Sequence, residues 1–493
     1  MSTTLTSTTA ATDPSDRRRW YGLVALCAAF FMVILDVAIV NVALPTIQTD
    51  LDFSQRNLQW VVSAYALTFG GLLLLGGRIA DLVGRRRVFV IGVALFAAAS
   101  LIAGLATSEA TLISARAAQG VGAALMTPAA LSILMTTFAE GRERNTALGV
   151  WGAVGASGGT VGVLLGGVFT DTIGWEWIFL LNVPVGLAVI AVTPFLLRES
   201  RAESTHRRFD IAGGVTITAS LALLVYALVE ASAEGWASAT TIGRLAGSAA
   251  LMAAFVAIEL RSRSPILPFS IFRIRAVTGS NVAGFALGGA MFGMFFIMTL
   301  YMQQVAAYSP LETGLAYLAT SLAALVASVG GSVVVTRIGP RVPMVVGLLA
   351  FAGGVLLLAQ MPVGAEYVSD LLPGFLISGF GLGLAFVAFS IGALEGVSSR
   401  DAGLASGLSN TTQQIGGALG TAIMSTLAIT RTDDLLASGT SQPVALTEGF
   451  QLALYASVGL AVAGAVAVLA LVRSGRPQEA EAGAETAPEP TAA

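Results

Sequence analysis

The stretch GGRIADLVGRRRVFVIG, residues 76–92, places one aspartate and four arginines between two apolar runs of roughly 20 residues each. Runs of that length match helices crossing a hydrocarbon core about 30 Å thick, so the charged insert reads as a turn between two membrane-crossing segments. The rest of the chain agrees. Of its 493 residues, 55% are apolar and 11% charged, and the mean hydropathy is strongly positive. Such a composition lies outside that of soluble domains.

Working outward from this turn, fourteen apolar runs can be counted, from 20–42 and 58–77 through 210–230 and 242–260 to 403–428 and 450–472. Placing Met1 in the cytoplasm puts 22 of the 26 basic residues, all arginine, on the inner side. Arg56, Arg244 and Arg431 then face outward and Arg116 stays within a span. Cytoplasmic loops collect arginine, so both termini are expected inside. Arg17 to Arg19 followed by Trp20–Val42 reads as a signal anchor, because that run is too long for a cleavable signal.

Several function classes are excluded at this point. The net charge is −3, without the basic face that nucleic acid needs. One cysteine, Cys27, and one histidine, His206, make neither a disulfide nor a zinc site, and no phosphate-cradling loop is present. No cofactor, metal, catalytic set or obligate protein partner is expected, and any transport must draw on an ion gradient.

The charged turn has a copy. SVVVTRIGPRVPM, residues 332–344, aligns with GRIADLVGRRRVF, residues 77–89, at an offset of 255, matching Gly84 to Gly339 and Arg86 to Arg341. A second pair, opening at Arg144 and Arg400, recurs at 256. Internal duplication is how many secondary transporters are built. The expected fold is therefore all-α and polytopic, with two pseudo-symmetric six-helix bundles and two inserted transmembrane helices. Residues 1–19 are read as a disordered cytoplasmic N-terminus, 20–197 as the first bundle, 198–276 as a linker with two extra spans, 277–472 as the second bundle and 473–493 as a disordered cytoplasmic tail.

These residues resemble the major facilitator superfamily, and within it the fourteen-span drug:proton antiporters of bacterial cell membranes. The turn is similar to the superfamily's loop 2–3 motif, with Gly77, Asp81, Gly84, Arg85 and Arg86 in place; LDVAIVNVALP (35–45), LISARAAQGVGAA (112–124) and GVWGAVGASGGTVGVLLGG (149–167) resemble its motifs in spans 1, 4 and 5. The span 5 stretch has Gly162-Val163 where the family usually has Gly-Pro, but keeps the glycines that allow close packing, among them Gly155, Gly158, Gly159, Gly162, Gly166 and Gly167. The resemblance implies proton-driven efflux of drugs or antibiotics by alternating access. It also implies that Asp81 and the turn's arginines latch the two halves on the cytoplasmic side, docking near Asp401 to Gly403; the alternative is that the arginines set topology alone.

Ionisable residues inside the bilayer cost roughly 2.5–3.5 kcal/mol on insertion scales and mark function by default. Asp36 and Arg116 lie six and five residues from the predicted outer ends of spans 1 and 4, about 7–9 Å deep at 1.5 Å per residue. Asp36 is expected to be the proton-responsive acid and Arg116 the residue that tunes it; a permanently ionised pair joining two spans is the alternative. Glu230 is expected at an interface of the inserted hairpin, while Glu259 and Glu395, near cytoplasmic ends, receive no role. Asn41, Trp60, Tyr65, Asn281, Tyr301, Gln303, Asn410 and Gln414 are candidate contacts for small amphipathic or cationic substrates in an apolar cavity. A carrier of one metabolite or antibiotic, and a membrane sensor without turnover, remain as rival readings.

Overall fold

A computed structural model describes residues 14–472, except 139–141, 201–210, 263–264, 266, 268 and 398–401. Both terminal segments expected to be disordered, His206 and Asp401 thus lie wholly or largely outside the described residues, as does the side chain of Asp81.

The described chain is helical, and fourteen long helices follow one another: α1 (Pro14–Asp50), α2 (Trp60–Val83), α3 (Arg85–Gly104), α4 (Glu109–Thr137), α5 (Arg142–Thr172), α6 (Asn182–Leu196), α7 (Ile211–Glu234), α8 (Ala239–Arg261), α9 (Arg275–Gln304), α10 (Pro310–Ile338), α11 (Arg341–Leu358), α12 (Leu372–Gly392), α13 (Ala402–Ala437) and α14 (Gln442–Leu471). Among the described residues, ten helices are long and apolar enough to cross a membrane. Serine hydroxyls start several of them: Ser108 caps α4, Ser238 caps α8, and Ser309 forms a capping box with Glu312 at α10. Each satisfies an amide that the first helical turn leaves without a partner.

Three helices outrun their apolar sequence. α1 continues eight residues past the predicted boundary at Val42, α13 runs to Ala437 and α14 starts at Gln442, so most of the stretch 429–449 between the last two apolar runs is helical. Polar side chains hold these extensions. Trp175 donates its indole N–H to Asp50 at 3.0 Å, Gln304 bonds Gln48 at 2.9 Å, and Arg431 pairs with Glu448 at 2.7 Å between α13 and α14. Asp36, six residues before Val42, consequently sits fourteen residues from the end of α1, about 21 Å along the axis.

Packing among the first six helices recurs among the last six with the helix number raised by eight. α1 packs on α5 and α6, α2 on α4, and α3 on α4 and α6; likewise α9 packs on α13 and α14, α10 on α12, and α11 on α12 and α14. The two sets meet where α2 crosses α13 and α5 crosses α10, crossings that the same shift interchanges. α7 and α8 pair with each other through reciprocal Ser220–Ser248 hydrogen bonds, and α7 lies against both α2 and α13.

The duplicated turns have the same local build. Gly84 ends α2 at φ 130° and Gly339 ends α10 at φ 79°, a region only glycine enters without strain. Arg86 then donates to the Leu197 carbonyl at the end of α6, and Arg341 to the Leu469 carbonyl near the end of α14. One apolar cluster, containing Leu35, Ile39, Val163, Met294, Met298 and Tyr317, draws on both sets at the end away from the arginine-rich turns. At the arginine-rich end the clusters are separate: one holds only α1–α6 residues and their flanks, the other only residues of α9 to α14 and their flanks.

Candidate coupling site and the charged turn

Asp36 and Arg116 are in direct contact, with side chains 0% and 1% exposed. An ionic contact this dry is tolerable only when the remaining hydrogen-bonding capacity is used, and here most of it is. The second carboxylate oxygen of Asp36 accepts from Gln119 Nε2 at 3.1 Å and from Asn182 Nδ2 at 3.4 Å. Arg116 donates Nε–H to the Val61 carbonyl at 2.8 Å and Nη1 to Gln119 Oε1 at 2.9 Å. Gln119 gives its other amide hydrogen to Ser100 at 2.7 Å. The guanidinium lies over the rings of Tyr65, 4.5 Å to its centroid, and Phe179, 5.6 Å away. Five helices, α1, α2, α3, α4 and α6, thus converge on one charge pair.

Helical spacing explains part of this. Arg116 and Gln119 are three residues apart on α4 and so share a face. Gln119 was within reach of sequence reading, standing in the quoted span 4 stretch. Helical spacing gives no signal for Asn182 or Ser100, because only tertiary packing brings Asn182 to Asp36 and Ser100 to Gln119.

The glycines of α5 supply the other half of the local architecture. Gly162 and Gly166 sit against the Leu35 and Ile39 carbonyls of α1, and Gly158 against Ile34. A Cβ on Gly162 would come within 2.9 Å of the Leu35 oxygen, so these positions let α1 bring Asp36 close. Gly155 meets the Phe30 ring, while Gly159 faces open space. Gly167 faces α10, meeting the Pro310 carbonyl, and Gly314 of α10 returns the contact to the Val163 carbonyl.

The candidate substrate residues are scattered. Tyr65 joins the charge pair. Trp60 packs on Tyr226 of the inserted hairpin, Asn281 accepts from Thr412, and Tyr301 donates to the Pro362 carbonyl at 2.5 Å. Gln303 donates to the Val42 carbonyl at 2.7 Å, joining α9 to α1. Asn41 bonds the Val37 carbonyl on its own helix, Gln414 is buried beside Gly70 of α2, and Asn410 is half-buried. In this conformation most of them make intramolecular contacts.

Arg86, Arg87 and the Arg85 backbone dock within their own half. Glu199, just past α6, accepts from the Arg86 amide at 3.1 Å and lies 4.0 and 3.7 Å from the Nε atoms of Arg86 and Arg87; Arg85 N–H donates to Ser200 O at 3.0 Å. Sequence reading assigned nothing to Glu199, although Arg198-Glu199 follows a span directly. Glu230 lies 3.5 Å from Arg56, an ionic tie between the hairpin and the turn before α2. Glu259, expected in an undemanding position, is buried and accepts from the Leu267 amide. Burial raises the carboxyl pKa of Glu395, beyond α12, above its ordinary value.

Residues 26–421 match the family model of the Major Facilitator Superfamily. The chain is 38% identical to the puromycin resistance protein pur8 of Streptomyces alboniger, over 94% of this chain and 93% of that protein. It is 41% identical to the cephamycin export protein CmcT of Amycolatopsis lactamdurans, over 82% and 84% respectively. A bacterial homologue of the human lysosomal transporter Spinster, solved in an inward-facing and unoccupied conformation, shares the fold at TM-score 0.67 and 18% identity, covering 94% of this chain and 98% of that one. With that agreement in sequence and fold, the chain belongs to the major facilitator superfamily, as a multi-pass transporter of the bacterial cytoplasmic membrane and not an enzyme.

Proposed function

We propose that this protein exports drugs or antibiotics in exchange for protons, by alternating access between two six-helix bundles, α1–α6 and α9–α14. All fourteen long helices span the membrane in this reading, with both termini in the cytoplasm. The carrying observation is the Asp36–Arg116 pair: a carboxylate that is wholly enclosed, tied directly to α4 and α6 and through Arg116 and Gln119 to α2 and α3, in a transporter with no nucleotide-binding loop.

The contacts described above give the cycle a starting point. Joined apolar packing at one end and separate clusters at the arginine-rich end correspond to a protein closed outside and open to the cytoplasm. In that state Asp36 is held against Arg116. Once the carrier opens to the outside, a proton from that side neutralises Asp36, cancels its attraction for Arg116 or for a cationic substrate, and frees Arg116 and Gln119 to change partners. Release of that proton inside restores the pair.

Puromycin and cephamycin in the relatives' names, together with tetracenomycin C in that of a 34% identical protein of Streptomyces glaucescens, favour a second reading within export, a narrow range of antibiotics. Everted vesicles with an acid interior, tested with a cationic dye and a panel of antibiotics, distinguish the two. Proton-dependent uptake of either class by wild type, lost in Asp36→Asn at equal membrane abundance, is the expected result. Undiminished proton-driven uptake by Asp36→Asn would remove Asp36 from the mechanism.

A further inference from the structure

The geometry points to a binding site for one acidic phospholipid, its acyl chain in an apolar groove between α1 and α6 and its phosphodiester on Arg18 and Arg198. The groove encloses about 440 Å³ and almost no polar surface. On α1 its wall is a single stripe, Tyr21, Ala25 and Ala28, and on α6 it is Ala188, Val192 and Phe195, residues spaced three, four or seven apart on one helical face. Alanines form the trough and two exposed aromatic rings, Tyr21 at 62% and Phe195 at 74%, stand at its arginine-rich end. Aromatic side chains prefer that headgroup level of a membrane.

Charge selects the occupant. Arg18 stands one helical turn before Tyr21, on the same stripe, and Arg198 two residues beyond Leu196, which also lines the groove; both are exposed. The nearby acids whose side chains are described are engaged elsewhere, Glu143 by Arg19 at 2.9 Å and Glu199 by Arg86 and Arg87. Neither Arg18 nor Arg198 has an acidic partner among the described residues. Two guanidiniums beside a chain-wide apolar trough are complementary to a phosphodiester with an acyl tail. A second copy of this chain fits the same surface poorly, because a two-fold contact brings both arginines of each copy together. That the lipid comes from the inner leaflet rests on the topology proposed above; the binding itself does not.

The test is native mass spectrometry of the full-length protein in detergent, offered phosphatidylglycerol and phosphatidylcholine with identical chains in equal amounts. Wild type should retain phosphatidylglycerol in preference, by roughly tenfold or more for two interfacial arginines. R18Q/R198Q should bind both lipids equally, and A188F, whose ring fills the trough from its exposed edge, should retain neither. Elution as a single symmetric species checks that each variant is folded, and Ala28→Leu provides a second way to fill the trough. Equal retention by wild type, a preference that survives R18Q/R198Q, or a lipid-free dimer in place of the lipid adduct each overturns the proposal. None of these readouts involves transport, so they stand or fall apart from proton coupling.

Discussion

The first and last six helices have the same packing scheme and opposite interiors. The crossing of Gly347 with Gly381 between α11 and α12 repeats that of Gly92 with Gly122 between α3 and α4, which puts Phe375 where α4 carries Arg116. α9 carries no charge beyond Arg275 at its start, and α12 carries none. Where α1 and α4 hold an ion pair, the region around α9, α10 and α12 holds rings: Tyr317 contacts Phe295 and Phe375 at 5.0 and 5.5 Å between centroids, and its hydroxyl bonds Thr299 and the Phe295 carbonyl. In the proposed exchange cycle a duplicated scaffold needs proton-responsive charge only once, and the half without it is free to seal. The predictions that follow test this division, from the largest expected effect to the smallest.

Arg116→Met should be the most damaging. It leaves Asp36 enclosed without its cation, a change costing about 3–5 kcal/mol when one partner of a buried pair is removed. Thermal unfolding in detergent should show a large fall in Tm, and proton-driven transport should vanish. Asp36→Asn combined with Arg116→Gln should regain much of the Tm while remaining inactive; recovery of transport in that double variant would separate coupling from the pair altogether.

Gln119→Leu comes next. Losing bonds to Asp36, Arg116 and Ser100 leaves buried groups unsatisfied, at about 1–3 kcal/mol. Asp36 loses a donor and Arg116 an acceptor, so proton-driven uptake should fall together with Tm. Initial rates in everted vesicles at equal abundance measure this, and a merely structural role for Gln119 would lower Tm while leaving the rate per folded protein unchanged.

Much of this arrangement could be read before the fold was known, and the omissions have physical causes. Helix number, the repeat, and the Asp36–Arg116 partnership follow from hydropathy, local motifs and the rarity of charge in lipid. Asn182, Ser100 and Glu199 do not, since each is an ordinary polar residue whose meaning comes from a partner elsewhere in the chain: Asp36, 146 positions from Asn182, Gln119, 19 positions from Ser100, and Arg86, 113 positions from Glu199. The polar extension of α1 to Asp50 was hidden for the same reason: Trp175 and Gln304, not α1's own hydropathy, hold it. Nor could a list of polar residues in apolar helices distinguish substrate contacts from seals, as Gln303 and Tyr301 show.

Tyr317→Phe probes the apolar half directly. It removes two hydrogen bonds at a fully buried hydroxyl, an effect of about 1 kcal/mol. A small fall in Tm with an unchanged pH profile is expected; a shifted profile would place proton response in both halves and end the division drawn here.

Gln303→Leu should have the smallest effect on stability, yet it bears on the seal itself. One bond to the Val42 carbonyl ties α9 to α1 at the closed end, beside the Gln304–Gln48 bond. Interhelical hydrogen bonds in membranes are worth about 0.6 kcal/mol on average, so the outward-open population should rise only about threefold. Cys27 is the sole cysteine, so a Cys27→Ala background with Thr46→Cys offers one reporter near that end. Its labelling by an impermeant maleimide from outside should speed up by that factor in Gln303→Leu. The close approach of Gly167 to Pro310 and of Gly314 to Val163 remains in the variant. An unchanged labelling rate would therefore assign the seal to these backbone contacts between α5 and α10, and a Gly167→Leu variant, which forces them apart, should then give the acceleration that Gln303→Leu did not.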